Sequence, residues 1–150
     1  MFPESHSHAF AISAYQAAWL KYHYPLEFYV SLMNNQPMGF YPIEAIKQDA
    51  RRFKIRFCNP CINLSESHCV IRDDSLLLGI KFVKNVGDKV AQSIVEERDK
   101  YGLFVSVGDF VRRLTLSTDA LESLVMSGAF DSLSSNRRVA LWESGIYPSP

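Results

Sequence analysis

The chain has 150 residues, 47% of them apolar and 21% charged. That is the make-up of a globular protein long enough to bury a core without disulfide staples, and not of a disordered segment. Sixteen Lys plus Arg balance sixteen Asp plus Glu, and on bulk charge alone this argues against a dedicated nucleic-acid binder, which carries a basic excess. No apolar run approaches the roughly 18 residues of a membrane span. The start, Met1-Phe2-Pro3-Glu4-Ser5-His6, has neither the basic nor the apolar region of a signal peptide. Three cysteines are an odd count at low density, so a reducing, cytoplasmic compartment is expected and a disulfide framework is not.

From Ser7 to about His23, Phe10, Ala14, Ala17, Ala18 and Lys21 recur at helical spacing and predict one apolar helix face. Tyr24-Pro25 stops this helix, because proline has no backbone N–H and crowds the preceding turn. Pro25 opens the next helix, Leu26 to about Asn34, with Leu26, Tyr29, Val30 and Met33 on one side. Asn34 to Gly39 reads as a loop, and Pro42 opens a third helix with the stripe Ile43, Ile46, Ala50 and Phe53. Lys54 to Phe57 alternates like a short strand, broken by Asn59-Pro60. His68–Arg72 and Leu76–Ile80 flank Asp73-Asp74-Ser75, which predicts a β-hairpin with a three-residue turn. Helices follow over about Asp88–Lys100, Val107–Leu114 and Thr118–Ser127. Ser106 and Ser117 stand at N-cap positions and Gly128 at a C-terminal glycine position.

The most mechanistic stretch runs from Ile80 to Val95. A short helix ending near Lys84, a tight turn through Asn85-Val86-Gly87 and a helix from Asp88 have the layout of a helix–hairpin–helix. Asn and Gly tolerate the left-handed backbone such a turn demands. Ala91 lets the two helices approach, and Val90, Ile94 and Val95 point to the core. The turn and helix start offer backbone N–H groups and a favourable dipole to a phosphate, with Lys81, Lys84 and Lys89 around them. Such contacts read no bases, so binding would be sequence-independent and salt-sensitive. The bland alternative is a helix pair used only for packing. Asn85 stands where many such hairpins carry a glycine, and Asp88 mildly opposes a bound anion. Leu121, Leu124 and Val125 before Ser127-Gly128-Ala129-Phe130-Asp131 form either a companion hairpin or a plain capped helix.

Lys47, Arg51, Arg52, Lys54 and Arg56 fall within ten residues, opposed there only by Asp49, and Arg112-Arg113 and Arg137-Arg138 add two pairs. Each cluster could track a nucleic-acid backbone or be a solvated face. Cys58-Asn59-Pro60-Cys61 with His68-Cys69 has a superficial zinc pattern. Adjacent strand residues point to opposite faces, so ordinary thiols and no metal are expected. Ser5-His6-Ser7-His8 lacks an acidic partner for hydrolase chemistry and suits a phosphate-binding helix start better. No paired carboxylates look like a two-metal phosphoryl-transfer site, so no catalytic residue is assigned.

Five blocks carry a resemblance: Phe2-Pro3-Glu4-Ser5-His6-Ser7, Ala17 to Phe28, Leu78 to Gly87, Ile94 to Arg98 and, closing, Met126 to Leu133. In order along nearly the whole chain they resemble the bacterial C-family DNA polymerases, the DNA polymerase III alpha subunits. Phe2 to Ser7, Asn35-Gln36-Pro37-Met38-Gly39-Phe40-Tyr41 and Arg137 to Glu143 resemble the error-prone, damage-inducible branch. The resemblance implies part of a DNA-directed DNA polymerase of translesion synthesis and DNA repair, acting on primer–template duplex with deoxynucleoside triphosphates and Mg2+. It implies that Ser5 and His6 lie toward the incoming nucleotide, and that Lys84, Asn85, Val86 and Gly87, with Lys81, Lys89, Arg51 and Arg52, face duplex DNA. The catalytic aspartates of that family lie upstream of the matched region and have no counterpart here, so the chain alone is expected to be inactive. A sliding clamp and translesion accessory proteins would act through regions outside it.

The expected fold is mainly α: the end of the polymerase fingers over residues 1–57, a β-hairpin connector over 58–80 and a helix–hairpin–helix module over 81–150. The alternative function is a protein-interaction module that docks on the rest of a polymerase without binding DNA by itself.

Overall fold

In the computed structural model, residues 2–35 and 43–146 are described. The described residues form seven α-helices, one 3-10 turn and a small three-stranded sheet, a mainly α fold. They divide into two compact units, residues 1–56 with 71–76, and residues 57–70 with 77–150. The 58–80 stretch is thus shared between the units.

The first unit holds α1 (Phe2–His23), α2 (Pro25–Asn34) and α3 (Ile43–Arg52). Pro25 sits in the first turn of α2, where its missing N–H costs nothing. Tyr29 and Met33 of α2 and Ile46 and Ala50 of α3 are fully or almost fully buried. Phe53, expected in the same stripe, lies past the end of α3 and is exposed. Pro42 and the loop residues 36–39 lie outside the described residues. The sharpest departure from the sequence expectation is α1. It starts at Phe2 and not at Ser7, and Phe10, Ala14, Ala17 and Ala18 are exposed, with Lys21 alone of that stripe part-buried. The periodicity marks an apolar face, and among the described residues no element of the unit covers it.

The sheet comprises β1 (Phe57–Cys58), β2 (Val70–Arg72) and β3 (Ser75–Leu77) in the order β1-β3-β2. The expected three-residue turn is a two-residue one. Asp73 and Asp74 take φ of 49° and 56°, the pair of positive values of a tight hairpin turn that matches strand twist. Ser75 is therefore the first residue of β3, where it is buried.

The second unit holds a 3-10 turn (Ile80–Phe82), α4 (Gly87–Tyr101), α5 (Val107–Arg113), α6 (Thr118–Met126) and α7 (Arg137–Glu143). The last of these has no counterpart in the sequence reading. Ser106, Ser117 and Asn136 each accept a backbone N–H at the start of α5, α6 and α7, satisfying donors that a helix start leaves open. Phe104, Phe110 and Phe130 meet edge to face with ring centroids 4.9 and 5.0 Å apart, a favoured aromatic geometry. Around them close Ile62, Ile80, Val86, Ile94, Leu124 and Val125. Arg98 of α4 is buried, and its guanidinium donates to the Ser65 carbonyl at 2.6 Å and pairs with Glu66 at 3.4 Å. Arg113 lies over the Phe104 ring at 4.3 Å and bonds Glu97 at 3.0 Å.

Candidate nucleic-acid interface

The hairpin begins with a close backbone approach. Ile80 N–H donates to Glu66 O at 2.9 Å and Lys81 N–H to Ser67 O at 3.1 Å. A Cβ at Gly79 would lie 2.4 Å from the His68 carbonyl carbon, so only glycine lets the segments meet. Next comes a single 3-10 turn, Ile80–Phe82, in place of the expected helix reaching Lys84. Val83 N–H bonds Ile80 O and Val86 N–H bonds Val83 O, which carries the chain tightly round to α4. The apolar positions Ile80, Val83, Val86, Ala91, Ile94 and Val95 are all buried, with Val90 half-buried, while Lys84, Asn85, Gly87, Asp88 and Lys89 are exposed. Burial anchors the hairpin from beneath and leaves its turn in solvent.

The turn alternates in backbone sign. Asn85 has φ of 63°, Val86 −92° and Gly87 70°. Such alternation brings successive backbone N–H groups toward one concave, anion-accepting surface. At Gly87 an added Cβ would meet nothing within 4 Å, so its glycine answers to the positive φ and not to crowding. Val86 caps α4 without any side-chain hydrogen bond. That separates α4 from α5, α6 and α7, whose first turns are closed by their own side chains. The N-terminal donors of a fifteen-residue helix are left to solvent or to a ligand.

Lys84 and Lys89 are exposed and form no ion pair among the described residues. Lys81 is less available, since its ammonium lies 3.5 Å from Asp88 and 5.3 Å from the Phe82 ring centroid. The Asn85 side chain turns toward α6 and donates to Ser123 Oγ at 3.2 Å. Sequence reasoning missed Ser123. At α6 the chain turns through Gly128, at φ 89°, before α7. Asp131 and Arg137 form an ion pair there at 3.4 Å. Of the two arginine pairs, Arg113 is absorbed into packing, whereas Arg112 stays exposed beside Asp109.

Ser5, His6, Arg51 and Arg52 lie in the first unit and are exposed. The His6 ring faces Phe10 at 6.5 Å. Arg52 borders a cavity of about 590 Å³ with Lys21, Phe28, Tyr29 and Asp49. Within it Asp49 receives hydrogen bonds from Lys21 at 2.7 Å and from the Tyr29 hydroxyl at 2.6 Å. These bonds hold the Asp49 carboxyl below the ordinary carboxylate range, while burial and Asp49 push the Tyr29 hydroxyl up. Of the basic run at 47–56, Lys47 pairs with Glu44, and Asp49 is engaged by Lys21 from α1. Cys58 is exposed, Cys61 half-buried and Cys69 buried, all three as free thiols. Cys69 Sγ accepts the Gly79 N–H at 3.4 Å. Among the described residues no three His, Cys, Asp or Glu side chains converge as a metal-binding set, and no helix is long and apolar enough to cross a membrane.

A family model of the helix-hairpin-helix motif matches residues 54–140. The chain belongs to this helix-hairpin-helix family. Its match takes in the sheet, the hairpin and every helix of the second unit through the start of α7. Over nearly its whole length the chain is also similar to error-prone DNA polymerases. It is 40% identical to that of Corynebacterium diphtheriae over 96% of the chain. It is 38% identical to that of Mycobacterium tuberculosis over 96%, and 42% identical to that of Vibrio parahaemolyticus over 94%. It spans only 14% of the length of the first and last of these relatives and 13% of the second.

Proposed function

We propose that this chain works as part of a DNA-directed DNA polymerase of the error-prone, translesion kind, in which its helix-hairpin-helix grips the backbone of the primer–template duplex. The single observation that carries this reading is the uncapped start of α4, set behind a turn of alternating backbone sign and flanked by Lys84 and Lys89. Backbone N–H groups and flexible ammonium groups suit phosphate oxygens and read no base edges. Arg51 and Arg52, exposed at the C-terminal end of α3, add phosphate contacts. Ser5 and His6 on α1 face the triphosphate of the incoming deoxynucleotide. The first unit is the end of the fingers, and the protein acts in the cytoplasm during DNA repair. Mg2+ and the carboxylates that hold it belong to the parts of such an enzyme outside these residues. The clamp and accessory proteins bind there too, so the chain by itself extends no primer.

Titrating the 150-residue chain with two duplexes of unrelated sequence over a range of salt tests this. Equal affinities that fall together as salt rises support it. A preference between the two, or binding indifferent to salt, overturns it.

A second reading, docking on the rest of a polymerase, is favoured by one observation. Along α1, Phe10, Ile12, Tyr15, Trp19, Leu20 and Tyr22 are all exposed, far more apolar surface than a free helix presents to water. In this reading the chain docks without binding DNA by itself. Salt-insensitive capture of a purified polymerase core, lost in Tyr15→Ser with Trp19→Ser, would establish the second; unchanged capture would remove it.

A further inference from the structure

We infer that Asn85 and Ser123 form a lock that presets the hairpin turn, making both of them positioning residues and neither of them a DNA contact. This rests on the proposed grip on the DNA backbone and adds how the turn is held ready for it. Asn85 occupies a left-handed conformation, φ 63°, which glycine takes freely and asparagine only at a cost. That cost needs an offset, and the side chain supplies one: Nδ2 donates to Ser123 Oγ at 3.2 Å. The bond spans 38 residues and ties the hairpin to α6, the helix that leads into the glycine turn at Gly128. The buried neighbour, Val86, seats the turn from below, and its own side chain makes no polar contact. The lock is therefore the one polar side-chain restraint on residues 83–87 among the described residues.

Without the lock the turn samples more backbone conformations, and each binding event must order them again. Ser123→Ala is therefore expected to weaken duplex binding about threefold to tenfold, in the range of a single coupled pair. The slope of log affinity on log salt should stay unchanged, because no phosphate contact is lost. Ser123→Thr keeps the hydroxyl and should bind like the parent. In the Asn85→Gly background, Ser123→Ala should have no further effect. Amide hydrogen exchange should quicken in Ser123→Ala at Val83 and Val86, whose N–H groups are hydrogen-bonded within the turn, and stay as it was in the middle of α4.

Parent-like binding and exchange in Ser123→Ala would overturn the lock. So would a further loss of binding on adding Asn85→Gly to Ser123→Ala, which would make Asn85 a direct contact, since glycine keeps the left-handed turn. Should the parent chain show no salt-sensitive duplex binding at all, the proposed grip falls. The lock on the turn is then decided by the exchange rates alone, quickening upholding it and unchanged rates overturning it.

Discussion

The two units leave different apolar surfaces outside. The second unit closes an aromatic core, with Phe104, Phe110 and Phe130 at most 1% exposed, and leaves Tyr101, Leu103 and Val105 in solvent, while its hairpin turn presents backbone, Lys84, Asn85, Asp88 and Lys89. The first unit buries Tyr29 and Met33 completely yet leaves Phe10, Tyr15 and Tyr22 at 70% exposure or more. A unit of the first kind has a closed aromatic centre and presents charge and donors at its hairpin. One of the second kind has a folded centre and an uncovered flank. The difference teaches that the chain's net neutrality averages over unlike surfaces, and that zero net charge is no argument against phosphate contacts when the cations are local.

Mutation can break this comparison. Phe110→Ala in the closed core should cost about 3–5 kcal/mol of stability by chemical denaturation, and a loss under 1 kcal/mol would mean the aromatic cluster is not the keystone of its unit. Next in size, Arg98→Met should cost on the order of 2–3 kcal/mol, because the Ser65 carbonyl and Glu66 lose a buried charged donor. Replacement without loss would show those groups are rewatered. Smallest, Phe10→Ser on α1 should shift stability by no more than about 0.5 kcal/mol. A large destabilisation would show that α1 is covered within the chain and is no open flank.

Acid provides a different test of the folded parts. Asp49, held low mainly by its bond from Lys21, and Asp109, held low mainly by the Val105 N–H, both have folded pKa values below their unfolded ones. Between the two values the unfolded chain binds more protons. Their stabilisation is therefore present above the ordinary carboxylate pKa of about 4 and is lost as pH falls through the lowered folded values. Denaturation midpoints should drop on acidification below that point, and the drop should shrink in Asp49→Asn. An identical acid profile in that variant would remove Asp49 from the account.

How much of this was legible in the sequence follows from how local each cause is. Ser106 and Ser117 announce their helices, because a cap acts within three residues. The hairpin was legible through Asn85, Gly87, Ala91 and the core-facing Val90, Ile94 and Val95, whereas the burial of Val83 and Val86 beneath the turn was not. Ser123 was not, since nothing in its neighbourhood encodes a partner 38 residues away. Ser75 looked like turn chemistry and is a buried strand residue, because two aspartates suffice for the tight turn. Arg98 belongs to a residue type that usually stays at the surface, and tertiary partners draw it in. The stripe on α1 was legible as a pattern, but periodicity reports which face is apolar and says nothing of what covers it.

The central claim is that the hairpin turn and its two free lysines hold a nucleic-acid backbone. Charge reversal at Lys84→Glu with Lys89→Glu tests it most directly, read by duplex binding at low salt alongside the melting transition of the same protein. The account predicts an unchanged melt and binding reduced to nothing measurable. Equal binding by a folded double variant would contradict it.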